Sequence, residues 1–180
     1  MAATQSTLEL AIGIEPPLSE PYGSAKISRD GQYRYFLSRM WGDQDDCNVV
    51  TFIGLNPSTA DASVDDPTLR RCMNYAKAWG YSGVWMVNLF GFRATEPKDM
   101  MAAIDPVGPD NEDYLGEAIM QARLVIAAWG AGGGYRDRDK EVIARYGQGD
   151  RLACLGLTKD GKPRHPLYLK KTATPFTLNK

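Results

Sequence analysis

Three side chains sit where apolar β-branched runs stop: Asn56 just past Val49–Ile53, Asn88 closing Val84–Val87, and His165 beyond Leu152–Leu157. Pro57 disfavours helical geometry at Asn56, so this residue stays extended and holds its amide at a fixed angle. The amide oxygen so held can orient a water, although it cannot take up a proton as a carboxylate does. Asp61, Asp65 and Asp66 are the carboxylates near enough in sequence to act as a stronger base, or else to cap a helix or close a loop. Asn88 offers a donor and an acceptor on one amide, and His165, the single histidine, lies beside Arg164 in a proline-defined loop. Ser58 and Thr59 add small hydroxyls after the first strand, where substrate or phosphate contacts are expected.

Alternating strands and helices are expected to position these groups. Asp30-Gly31 reads as a hairpin turn between 26–29 and 33–37. The spacing predicts strands over 49–53, 84–88, 124–128 and 152–157. Asp65 or Asp66 can cap a helix with Pro67 at its first position; Leu69, Met73, Ala76 and Trp79 mark its inner face and Gly80 its stop. Further helices are expected over 97–104, 111–122 and 136–146. Strands separated by helices imply right-handed crossovers and a mostly parallel sheet. The class is therefore α/β, a three-layer α/β/α domain with a mostly parallel four-stranded central sheet plus an N-terminal β-hairpin. In such sheets ligands bind at the carboxyl edge, where Asn56 and Asn88 fall.

The chain of 180 residues is long enough for one domain with a sizeable core, read as an arm or loop over 1–21 and a core over 22–170. No run approaches a membrane span and no basic segment precedes an apolar one at the N-terminus, so no membrane partner and a cytoplasmic setting are expected. Cys47, Cys72 and Cys154 are odd in number and lack a CxxC pair, which argues for reduced thiols and against a structural metal or disulfide framework; neither metal nor cofactor is expected. A net charge of −1 hides an asymmetry: residues 150–180 carry +5 and residues 1–149 carry −6. The positive end could meet phosphates or be a solvated surface. The glycine run at 130 and 132–134 lacks the lysine and hydroxyl of a P-loop.

In order and spacing, Gly54-Leu55-Asn56-Pro57, Asn88, Ala127-Ala128-Trp129-Gly130 and His165-Pro166 resemble the uracil-DNA glycosylase superfamily, above all its mismatch-specific thymine and uracil branch. Ser58 stands where that branch has glycine, and Leu167-Tyr168 follows His165-Pro166 in place of Ser-Pro-Leu. From about Tyr33 to Leu169 the chain also resembles a bacterial and phage family called domain of unknown function 1643. That pattern is seen in 55–61, Asp66-Pro67-Thr68, Arg70-Arg71-Cys72, 87–90, 105–110, Ala128-Trp129-Gly130 and 163–168. The glycosylase resemblance implies that Asn56 orients a water, that Asn88 contacts a base, and that His165 donates to a base oxygen as it leaves. Phe90 could stack on that base or pack in the core, Trp129 packs beneath the pocket, and Arg93 and Arg164 could touch phosphate.

These readings converge on a nucleobase-recognising N-glycosidase acting on a modified or mismatched base in DNA, with Asn56, His165 and Asp61 as the catalytic candidates. Two further classes stand beside it: an enzyme acting on free nucleosides or nucleotides, and a non-catalytic module that binds a base or blocks a partner. The expected partner is DNA or a nucleotide-like ligand.

Overall fold

The computed structural model describes residues 22–42 and 48–178. The expected N-terminal arm and Cys47 lie outside the described residues. Among these residues seven strands form one sheet: β1 (Tyr22–Ile27), β2 (Arg34–Met40), β3 (Val49–Gly54), β4 (Gly83–Asn88), β5 (Leu124–Ala127), β6 (Leu152–Cys154) and β7 (Phe176–Thr177). Their spatial order is β1-β2-β4-β3-β5-β6-β7. The central four, β4-β3-β5-β6, are mutually parallel.

The sheet is larger than the four strands expected. β2 pairs antiparallel with β4, so the hairpin is the continuation of the central sheet. Nearly all of β2 is buried, as befits a strand with neighbours on both sides, and it covers what would otherwise be an open edge of β4. At the far end β7 pairs antiparallel with β6, and the Leu178 amide donates to the Leu152 carbonyl. Leu178 is buried, so the core runs past the expected limit at 170. A two-residue strand carries no periodicity from which it could be read.

Among the described residues four α-helices cover the sheet: α1 (Pro67–Ala78), α2 (Pro97–Ala102), α3 (Asn111–Gln121) and α4 (Arg138–Tyr146). Side chains alternate along the strands. Val50, Phe52, Val84, Met86 and Ile126 pack with Leu69, Cys72, Met73 and Ala76 of α1. Val49, Ile53, Val87 and Val125 pack on the other face with Met100, Leu115, Ile119 and Val142 of α2, α3 and α4. Helix α1 starts where its sequence signals place it: Asp66 Oδ1 accepts from the Leu69 amide at 2.7 Å, and Pro67 occupies the first turn. Gly80, at φ +80°, ends the turn that follows. Helix α4 begins two residues later than expected because Arg136 and Asp137 both have positive φ, 53° and 55°, which no α-helix accommodates. No described helix is long and apolar enough to cross a membrane.

Candidate functional site

The parallel ladder delivers the ends of β3, β4 and β5 to one edge. There a cleft of about 480 Å³ is lined by Asn56, Asn88 and His165 together with Ser58, Asp66, Trp129 and Arg34. Residues more than a hundred positions apart in sequence thus meet at the carboxyl edge of the sheet, the usual ligand position in α/β folds.

Gly54 faces Asn88 across β3 and β4, and a Cβ there would lie 2.7 Å from Asn88 Oδ1. Only glycine lets the Asn88 amide lie over the β3 backbone. Beyond the strands the ladder continues, with the Leu89 amide donating to Gly54 O at 3.0 Å and the Phe90 amide to Leu55 O at 2.9 Å. Asn56 is therefore placed one residue past a rigid end. Its Nδ2 donates to Ala94 O at 2.8 Å and to Pro57 O at 3.1 Å. Two carbonyl partners fix which end of the amide is nitrogen. Oδ1 is left as the acceptor available to a ligand or water.

Asn88 is 3% exposed, and its Nδ2 has no acceptor among the described residues. A buried donor of this kind costs about 1–3 kcal/mol unless something bonds it. The backbone behind it is secured: Asn111 Nδ2 donates to Asn88 O and Leu89 O at 3.1 and 3.3 Å, and Arg138 Nε donates to Leu89 O at 3.0 Å. Arg138 is in turn paired with Glu112 and Glu141.

His165 arrives on a loop pinned to the segment just after β5 by the Gly130 amide, which donates to Pro163 O at 2.8 Å. Lys162, three residues before it, forms an ion pair with the buried carboxylate of Asp139 on α4. His165 Nδ1 accepts from the Leu167 amide at a long 3.4 Å, which leaves the neutral ring's proton on Nε2. Burial pushes the ring's pKa below the usual 6.5, partly opposed by the Asp66 carboxylate. The imidazole is thus a neutral donor at neutral pH.

The other expected residues divide between the cleft and positions outside it. Phe90 is fully buried and packs on Tyr135, with ring centroids 5.7 Å apart, so it is core and no stacking platform. Asp61 closes its own loop, accepting from the Ser63 and Val64 amides at 2.8 Å each, bonds that hold its pKa below the carboxylate norm and make it a poor base. Asp65 pairs with Arg39 at 2.8 Å, whereas Asp66 caps α1 and lines the cleft. Ser58 is in the lining; Thr59 is exposed outside it. Arg93 turns to the β1–β2 turn, donating to Gly31 O, and Arg164 donates to Tyr168 O. The glycine run serves packing: a Cβ on Gly132 would strike Leu55, and one on Gly133 the Trp129 indole. Trp129 is buried beneath the cleft as expected. Burial raises the pKa of both Cys72 and Cys154, leaving them inert thiols.

Sequence reasoning missed Arg34 and Tyr168. An arginine at a strand start gives no signal of burial, and Tyr168, 74% exposed at the mouth of the cleft, takes its place from the turn after His165. The Arg34 guanidinium and the Tyr168 ring complete the lining. In comparisons with known proteins, no curated protein and no solved structure gives a significant match. One family model does match, over residues 34–167, and by it the chain belongs to the family described as protein of unknown function DUF1643.

Proposed function

We propose that the cleft binds a nucleobase and that the protein is an N-glycosidase, hydrolysing the bond between sugar and base at a modified or mismatched position in DNA, on a fold akin to the uracil-DNA glycosylases. The observation that carries this reading is the meeting of three complementary groups in one cleft: the free acceptor of Asn56, the unpartnered buried amide of Asn88 and the neutral Nε2–H of His165.

Cleavage of a sugar–base bond passes through an oxocarbenium-like state, with positive charge growing on the sugar and negative charge on the departing base. Asn88 reads the edge of the base with Oδ1 and Nδ2. Asn56 Oδ1 holds a water, whose oxygen bonds to the anomeric carbon while the bond from that carbon to the base nitrogen breaks. The bonding pair leaves with the base, and the His165 donor hydrogen-bonds the oxygen on which that charge collects. The attacking water gives up its proton to solvent, since neither Asn56 nor the engaged Asp61 is a competent base. A base inside a duplex must first leave the stack to enter a cleft of this kind.

The test is incubation with duplex and single-stranded oligonucleotides carrying a panel of modified bases, followed by detection of abasic sites. Strand-specific abasic sites that require Asn56 support the reading. Base release from nucleosides or nucleotides alone moves the substrate to the free-nucleotide class. Ligand binding without release under any condition leaves a base-binding module.

A further inference from the structure

We propose that Arg34 is the specificity residue of this cleft and that it recognises an oxyanion on the bound ligand, which makes the preferred ligand an anionic one. The inference deepens the base-binding reading and rests on it for the location of the ligand. Arg34 opens β2 and is 3% exposed, yet it lines the cleft. Its Nη1 donates to Ala60 O, and its Nε, fully buried, has no acceptor among the described residues.

The contrast with Arg39, five residues along the same strand, sharpens the point. Arg39 is equally buried but bonds the Asp65 carboxylate and the Ser38, Asp61 and Val64 carbonyls, which ties down the 61–65 loop. A buried guanidinium kept without an ion-pair partner in hydrogen-bond reach is costly unless a ligand supplies one. The Asp66 carboxylate, also in the cleft lining, and more weakly Asp61 favour the charged form, and the neighbouring Arg93 and Arg39 oppose it. Burial lowers the Arg34 pKa to about 10, so the group remains cationic at neutral pH. Arg34, Asn88 and His165 all line the cleft, and Arg34 Nε and Asn88 Nδ2 both lack an acceptor among the described residues, a set that suits an oxygen bearing negative charge.

Two sources supply such an oxygen: a ring whose carbonyls share a negative charge, as the departing base would, or a phosphate ester. Isothermal titration with barbiturate, an anionic pyrimidine ring, with inorganic phosphate and with neutral uracil separates them. We expect one anion to bind at least tenfold tighter than uracil. The Arg34→Lys variant keeps the charge but loses the Nε donor, and it should lose at least fivefold of that anion's affinity, a larger factor than it loses for uracil. Should the variant not fold, the Arg34 Nε–H resonance of the wild-type protein gives the same answer, shifting with the anion and not with uracil. Barbiturate as the responding anion identifies the ring, phosphate the ester. Failure of both anions to bind, binding indifferent to Arg34→Lys, or an unmoved Nε–H resonance overturns the proposal. None of these readouts needs turnover, so a protein without glycosidase activity can still pass or fail them.

Discussion

The two walls of the cleft are built by different means. The wall made of Gly54, Asn56 and Asn88 is an extension of the parallel ladder, backed by Asn111 and Arg138, so many independent hydrogen bonds fix it. The wall that presents His165 is a loop outside the main ladder, held by an isolated bridge between Leu157 and Pro163, by the Arg164 amide on Gly156 O, by the Gly130–Pro163 bond, by Tyr75 Oη on Lys170 O and by the Lys162–Asp139 ion pair. A ladder distributes positional error over many bonds, whereas a loop concentrates it in a few anchors. The asparagines should therefore be preformed, and the histidine should depend on remote residues.

The sharpest way to break that contrast is Lys162→Met. Asp139 would be left as a buried carboxylate without its counter-ion, at a cost of about 3–5 kcal/mol, measured by denaturant unfolding. On a substrate identified by base release, Asn56→Ala and His165→Ala should each lower turnover by about 10²–10³-fold with circular dichroism unchanged, because each removes a contact used mainly in the transition state. Asn111→Ala, on the ladder side, removes one of several supports and should cost only about 1–2 kcal/mol. If Asn111→Ala proves more damaging than Lys162→Met, the comparison of the walls is wrong.

The smallest effect concerns pH. His165 has a folded-state pKa below its unfolded value, so the folded protein binds its proton less well. Stability is complete above the ordinary histidine value of 6.5 and declines as pH falls through it toward the lower folded value. His165→Gln should flatten that part of a melting-temperature profile. Base release per folded molecule should hold through that interval and change only as pH reaches the lower folded value, where the native ring takes up its proton and its Nδ1 no longer accepts from Leu167.

Much of this was legible in the sequence where local chemistry decides it. The Asp66-Pro67 start and Gly80 stop of α1, the β-branched runs of the central strands and the asparagines closing two of them are short-range signals. What could not be read depends on partners far along the chain. The β2–β4 pairing and the two-residue β7 are choices of sheet edge with no local pattern. Phe90 and Arg93 follow Asn88 directly and so looked like site residues, but the chain turns after β4 and carries Phe90 into the core and Arg93 toward Gly31. Arg34 was invisible for the opposite reason: only tertiary packing turns a strand-opening arginine inward.

The central claim, that the strand-end asparagines form a base-binding site with divided roles, is tested most directly by titrating the base released from the best substrate into wild-type protein, Asn88→Ala and Asn56→Ala. The account predicts that Asn88→Ala weakens binding by roughly 10–100-fold, corresponding to about 1–3 kcal/mol for an unpaired buried edge, while Asn56→Ala binds within about twofold of wild type and yet fails to release base. Equal affinity for wild type and Asn88→Ala would contradict it and move the ligand out of the cleft.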